Sequence, residues 1–215
     1  SLEMAPVQGI SIDFPHSVTD MNTRALEPLS DIIPKAGIEW RVFYYFTRAA
    51  VSFIWVGAAV TTGSLLPFAA AVLTIFYPAW DAAASFLDVY RHGGMLRNPV
   101  QSINAILSLL TTVAIAIALA VSMNWMIAVF GLWATISGSL QIIVAVRRRT
   151  SHSAQWLMIL SGAQSAIAGA FFVRQAMLAG IHGINDIVPY AAFGAFYFLM
   201  SGIGLMFSRA RRRQH

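Results

Sequence analysis

The stretch Phe130–Arg149, FGLWATISGSLQIIVAVRRR, decides the fold of this chain. Its first seventeen residues carry no charge, and three consecutive arginines follow them. An apolar segment of this length matches the thickness of a bilayer core, and a basic cluster at its end is typical of a membrane-spanning helix. The stretch therefore predicts a membrane protein rather than a soluble domain.

The composition of the whole chain agrees with that prediction. Of its 215 residues, 58% are hydrophobic and only 11% are charged, whereas soluble domains carry roughly 25% charged residues. A membrane β-barrel would show short alternating segments, but the apolar runs here are long and continuous. The fold class we predict is therefore all-α, in a polytopic membrane protein.

The charged residues indicate topology rather than a nucleic-acid partner. The net charge is +5, and Lys35 is the one lysine among fourteen basic residues. The arginines stand at the ends of apolar runs, as they do in membrane proteins, and we predict no nucleic-acid binding. The chain has no cysteine, which excludes disulfides, thiolate metal sites and cysteine catalysis.

Six apolar runs of about the required length follow one another along the chain. We predict one transmembrane domain over residues 41–213, with spans at about 42–62, 67–90, 100–122, 125–146, 155–172 and 187–207. Residues 1–40 are rich in proline and acidic residues, which predicts a mostly irregular cytoplasmic tail with a short interfacial helix at about 34–41. Residues 1–3 precede Met4 and are interpreted as an expression remnant.

The distribution of arginine predicts the orientation. The basic clusters all fall on one side of the six spans: Lys35, Arg41, Arg91, Arg97, Arg147–Arg149 and Arg209–Arg213. The opposite connections carry a single arginine, Arg174. By the positive-inside rule, both termini are predicted to be cytoplasmic.

The spans also repeat in pairs. We divide them into three hairpins, 42–92, 99–149 and 154–213, whose closing helices align by eye at Trp80, Trp133 and Tyr197 and then at Ser85, Gly138 and Gly202. The opening helices align more loosely at Ser52, Asn104 and Gln164. Each hairpin begins and ends on the same side, so the copies are parallel and related by an axis along the membrane normal. Glycines are expected to let the helices approach closely: Gly57, Gly131, Gly138, Gly162, Gly169, Gly194, Gly202 and Gly204.

One part of this chain resembles a known family. The opening stretch and the following QWLMILSGAQSAIAGAFF, residues 155–172, resemble the HdeD-like proteins of the bacterial inner membrane. The residues that carry the resemblance lie within about 125–173: Phe130, Gly131, Trp133, Gly138, Arg147, Trp156, Gly162 and Gly169. The resemblance implies six spans in the bacterial cytoplasmic membrane and, in one branch, a link to acid resistance. It implies no catalytic residue.

Three charged residues inside the spans depart from that family pattern. Arg48 lies in the first span, and Asp81 and Asp88 lie on one face of the second. Because a charge at apolar depth costs at least about 2.5 kcal/mol, it is usually paired or faces water. Adjacent antiparallel helices would bring Arg48 to a depth between the two carboxylates, where it would bridge them or pair with one.

That charged group has two interpretations. The first is a structural ion pair that fixes the docking of the first two helices. The second is a cytoplasm-facing polar site for transport of protons or a small solute. The candidate residues for such a site are Arg48, Asp81, Asp88, Asn104, Gln141 and Gln164, with Gln101 as a further lining residue.

The sequence thus leaves three functions open. The first is a non-enzymatic HdeD-like membrane protein acting in stress or acid tolerance or in membrane assembly. The second is a small proton or solute transporter or channel, and the third is an intramembrane enzyme or binder of lipid or quinone. No catalytic, cofactor or metal residues are predicted, because no motif for them is present and the histidines lack ligand spacing. Membrane lipids are the expected partners, while a homo-oligomer or a membrane-protein partner stays open. Contacts to lipid headgroups are expected from Arg147, Arg148, Arg149, Arg211, Arg212 and Arg213.

Overall fold

The computed structural model describes residues 17–63, 65–147, 152–178 and 183–212. Regular structure within these residues is entirely helical. There are six helices: α1 (Ser17–Thr62), α2 (Pro67–Arg91), α3 (Pro99–Val121), α4 (Met123–Arg147), α5 (His152–Ala176) and α6 (Ile184–Arg212). Each contains a segment long and apolar enough to cross a bilayer. The predictions of an all-α fold and of six spans are confirmed, and the chain is described below as a multi-pass membrane protein.

The helix ends follow local signals in the sequence. Pro67 opens α2 and Pro99 opens α3, where a proline loses no intrahelical hydrogen bond. The break between α3 and α4 falls at Ser122, which is the last residue of the span predicted at about 100–122. The reason is a cap: the Ser122 hydroxyl accepts a hydrogen bond from the backbone N–H of Trp125 at 3.3 Å, which allows α4 to begin at Met123.

The N-terminal region differs from the prediction at residues 17–33, since a short helix was expected only at about 34–41. The chain divides into two compact units, Ser1–Glu39 and Trp40–His215. Helix α1 begins at Ser17, so residues that we expected to be mostly irregular are helical. The segment 21–27, MNTRALE, contains several strong helix formers. Residues 1–16 of the predicted tail lie outside the described residues.

Helices α4 and α5 make the most extensive helix–helix interface of the bundle. Two glycine pairs bring them together. A Cβ atom added at Gly131 would lie 2.6 Å from the carbonyl oxygen of Gly169, and one added at Gly138 would lie 2.5 Å from that of Gly162. The packing role expected for these four glycines is confirmed. It is wrong for Gly57 and Gly204, where an added Cβ would meet nothing within 4 Å.

An aromatic cluster fills one half of the bundle, on the side of the Gly63 turn and the start of α6. Phe130 on α4 is fully buried at its centre. Its ring centroid lies 5.3 Å from that of Trp133, 5.5 Å from that of Tyr190 and 5.9 Å from that of Phe172. All six helices contribute rings or aliphatic side chains to this core. The interior of this half is thus packed with side chains.

The outward faces of the helices are apolar. Leu110, Ile117 and Leu132 are 62%, 64% and 56% exposed, and many other large apolar side chains share this exposure. A soluble monomer rarely exposes contiguous apolar surface on this scale. These side chains contact lipid in a membrane, so the expected lipid partner is confirmed at this level.

The glycine interface generates a first prediction. Gly131→Ala is expected to lower the free energy of unfolding by about 1–3 kcal/mol, because its methyl group has no room beside the α5 backbone. Thermal unfolding of the purified protein in detergent measures the effect.

The matched control is Gly57→Ala, where the new methyl group enters open space. It is expected to leave stability unchanged or to raise it by up to about 1 kcal/mol, since alanine is the better helix former. Equal destabilisation by the two variants would contradict the packing role of Gly131.

Candidate functional site

An ion pair joins α1 to α2 inside the membrane-spanning region. The Nη2 atom of Arg48 donates to Oδ1 of Asp81. The two side chains are only 13% and 11% exposed. Pairing lowers the cost of placing either charge at apolar depth. Of the two arrangements that the sequence left open, the structure has Arg48 paired with Asp81 alone.

The second carboxylate oxygen of Asp81 is held by α3. Its Oδ2 accepts a hydrogen bond from the hydroxyl of Ser108 at 2.7 Å and another from the amide of Asn104 at 3.2 Å. These two residues are four apart and therefore share one face of α3. Both oxygens of Asp81 are thus engaged, by donors from two different helices.

Further hydrogen bonds extend this group to α4 and along α2. The indole N–H of Trp133 donates to the Ser108 hydroxyl at 3.0 Å, so Ser108 accepts from α4 while donating to Asp81. One turn beyond Asp81, the Ser85 hydroxyl accepts from Asn104 and from Gln101, each at 3.4 Å. We call Arg48, Asp81, Ser85, Gln101, Asn104, Ser108 and Trp133 the polar cluster.

The arginine of the polar cluster is held by aromatic side chains as well as by charge. Its Nη1 donates to the Tyr44 hydroxyl at 2.8 Å. Its guanidinium carbon lies 4.2 Å from the ring centroid of Phe198 on α6, a cation–π contact that gains strength where water is excluded. The Nε atom of Arg48 is buried and has no hydrogen-bond partner among the described residues.

Asp88 belongs to a separate group near the end of α2. Its Oδ1 accepts from the indole N–H of Trp40 at 3.2 Å and lies 3.1 Å from Nδ1 of His92. Arg91 lies over the Trp40 ring, 4.5 Å from its centroid. This group is more exposed than the ion pair and lies at an interfacial position, where aromatic and basic side chains are commonly found.

The remaining candidates are not part of the polar cluster. Among the described residues, Gln141 makes no hydrogen bond to it. Gln164 lines a separate groove between α5 and α6. Arg147, Arg211 and Arg212 stand at helix ends, while Arg148, Arg149 and Arg213 lie outside the described residues. The contacts expected between these arginines and lipid headgroups therefore stay predictions.

Sequence reasoning missed Ser108, Trp133 and Phe198 as parts of this site, and it did not name Ser85 or Tyr44 as candidates. Ser108 lies one turn after Asn104, so helical spacing alone would have placed it on the same face. Trp133 was singled out only for the repeat and the family resemblance, but its indole N–H also donates a hydrogen bond to Ser108. Nothing in the sequence marks Phe198 as a partner of Arg48, because their contact depends on how α6 docks against α1.

The polar cluster does not have the composition of a metal site. No group of three or more histidine, cysteine, aspartate or glutamate side chains converges in the part of the chain that the structure describes. What the cluster can do chemically is hold a carboxylate and a guanidinium in fixed geometry by charge-assisted hydrogen bonds.

Part of the chain matches a described protein family. Residues 103–174 match the family described as "Short repeat of unknown function (DUF308)". These residues cover nearly all of α3, all of α4 and most of α5, about one third of the chain. The match is consistent with the HdeD-like resemblance that we noted over 125–173. No curated protein and no solved structure matches the chain.

The ion pair generates a second prediction. Arg48→Met leaves a buried carboxylate without its counter-charge and is expected to cost about 3–5 kcal/mol of unfolding free energy. Asp81→Leu strands the guanidinium and is expected to cost a similar amount. The double variant Arg48→Met/Asp81→Leu is expected to be more stable than either single variant, because it buries no charge. Unfolding of all four proteins in detergent, as a double-mutant cycle, measures this.

Asp88→Asn is the control for a general effect of removing a carboxylate. Asp88 and His92 are 22% and 37% exposed, and such partly solvated pairs contribute about 0–1 kcal/mol. If the losses of the two single variants simply add in the double variant, Arg48 and Asp81 are not energetically coupled and the pairing is wrong.

Proposed function

We propose that this chain is a non-enzymatic integral protein of the bacterial inner membrane, of HdeD-like type, which acts in stress or acid tolerance or in membrane assembly. The DUF308 match supports this proposal, because it covers the region of the chain that resembles the HdeD-like proteins. The observation that carries the proposal is the state of Asp81, whose two oxygens are both occupied by donors from the protein. A carboxylate so engaged serves to fix the packing of α1, α2 and α3.

The proposed orientation has both termini in the cytoplasm. It rests on the basic residues of the sequence, which cluster at the ends of α2, α4 and α6 and are nearly absent from the opposite connections. The positive-inside rule relates this asymmetry to the cytoplasmic face. The three proposed hairpins, 42–92, 99–149 and 154–213, each start and end on that face.

A deletion and complementation experiment tests this proposal. A strain that lacks the gene is expected to survive acid challenge less well than its parent, and a plasmid copy is expected to restore survival. The copy carries a C-terminal green fluorescent protein, which fluoresces only when it folds in the cytoplasm. Equal survival of deletion strain and parent would contradict the role in tolerance, and a dark fusion at normal abundance would contradict the orientation.

The double variant Arg48→Met/Asp81→Leu sharpens the experiment. If the ion pair serves packing, this variant complements as well as the original chain whenever it accumulates to the same level. Failure to complement at normal abundance would mean that the charges themselves are needed, which is the expectation for the second function below.

A second candidate function is a pathway for protons or a small solute. One observation favours it: polar side chains follow one another from the start of α3 to the depth of Asp81. Gln101 lies two residues after Pro99 and donates a hydrogen bond to the Ser85 hydroxyl. Asn104 in turn donates both to Ser85 and to the carboxylate of Asp81. Beyond Asp81, the aromatic cluster around Phe130 fills the interior, so a pathway would need that half to open.

Flux into proteoliposomes separates the two functions. Under the first proposal, proton or solute flux equals that of protein-free vesicles. Under the second, flux exceeds that background and falls by about tenfold or more in Asp81→Asn, because the deepest titratable group is lost. Asp88→Asn is the matched control and is expected to leave flux unchanged, since Asp88 is not in the polar cluster. Flux above background that survives Asp81→Asn would contradict the assignment of the pathway to Asp81.

A further inference from the structure

One face of α5 is exposed and carries a heptad-like pattern. Leu160, Gln164, Ile167 and Phe171 are spaced by four, three and four residues, which places them on one stripe of the helix. The three apolar members are 56%, 71% and 53% exposed. We call these four residues the α5 seam. The opposite face of α5 is already used, because Gly162 and Gly169 pack against α4.

Gln164 is the single polar member of the seam. Its amide makes no hydrogen bond among the residues that the structure describes. It lines a groove of about 480 Å³ whose other walls are apolar side chains of α5, together with Tyr197 of α6. Gln164 lies near the middle of the span Trp156–Ala176, where neither water nor a lipid headgroup is at hand. An amide at that depth without a partner is unfavourable.

We propose that the α5 seam is the interface of a homodimer, in which Gln164 of one copy pairs with Gln164 of the other. Two copies in one membrane share the same orientation, so their α5 helices are parallel and Gln164 lies at the same depth in both. A two-fold axis along the membrane normal then places the two amides opposite each other.

Electrostatic complementarity selects a second copy over a lipid. An amide has a positively polarised N–H₂ group and a negatively polarised oxygen, and each finds its complement in an identical amide related by a two-fold axis. An acyl chain offers neither group. A heptad stripe with one polar residue is also a pattern that fixes the register and the number of helices in a coiled-coil interface. The groove that the seam residues line leaves room for a large side chain of the partner.

The sequence contains no cysteine, so a single introduced cysteine can be crosslinked without background from other thiols of the chain. Ile167→Cys places a thiol on the seam, and oxidation in native membranes is expected to yield a disulfide-linked dimer. Leu110→Cys on α3 is the control, because Leu110 is 62% exposed but lies on a different helix. Crosslinking of both variants, or of Leu110→Cys alone, would overturn the proposal.

Three other outcomes also count against the proposal. Ile167→Cys that stays monomeric under oxidation would exclude a two-fold contact at the seam. A crosslinked product of a mass other than twice the chain would assign the seam to a different membrane protein. A monomer that retains a phospholipid in native mass spectrometry would assign the groove to an acyl chain.

The role of the amide is tested by Gln164→Leu. This variant preserves size and apolar packing but removes both hydrogen-bonding groups. The dissociation constant of the dimer, measured by energy transfer between labelled copies diluted into vesicles, is expected to rise about 3- to 30-fold, as interhelical hydrogen bonds in membranes predict. Phe193→Leu, on an exposed part of α6, is the matched control and is expected to leave the constant unchanged. An unchanged or lower dissociation constant in Gln164→Leu would overturn the pairing of the amides.

Discussion

The structure depends on a buried ion pair of opposite charges, Arg48 and Asp81. A guanidinium or a carboxylate alone at this depth would destabilise the bundle by several kcal/mol, and the two charges offset that cost only when their geometry and remaining hydrogen bonds are satisfied. Asp81 meets this condition through Ser108 and Asn104, and Arg48 meets most of it through Tyr44 and Phe198. The requirement therefore sets the relative positions of α1, α2, α3 and α6.

The remaining helices are fixed by a different interaction. Helices α4 and α5 approach until the backbone of one meets the glycines of the other. Such contacts gain van der Waals energy and lose no side-chain entropy. They are important in a membrane because lipid tails are as apolar as the helix surface, so the hydrophobic effect does not drive the helices together. Trp133 joins the two regions, since it packs on Phe130 and also bonds Ser108.

How far the sequence predicts the structure depends on the kind of interaction. The six spans follow from length and hydropathy, which are local properties, so their ends agree to within a few residues. The pairing of Arg48 with Asp81 could be anticipated because an unpaired charge at that depth is so costly. The contact of Phe198 with Arg48 could not be anticipated, because it follows from the docking of α6, which lies about 150 residues further along the chain. Gln164 was grouped with Arg48 because both are polar, but it lines the groove between α5 and α6. The polarity of a residue does not determine which face of its helix it occupies.

In the repeat that we propose from the sequence, aligned positions occur in two different interfaces of one bundle. Ser85 and Gly138 occupy aligned positions, and each faces the next helix along the chain: Ser85 bonds Gln101 and Asn104, and Gly138 meets Gly162.

The position one residue after the aligned aromatics Trp80, Trp133 and Tyr197 is Asp81 in α2, Ala134 in α4 and Phe198 in α6. Arg48 contacts both the aspartate and the phenylalanine of this set. A single register position thus carries a charge, a methyl group or a ring, and each fits its own interface. A repeated apolar scaffold can in this way gain one charged centre by few substitutions, provided that the arginine and its counter-charge are acquired together.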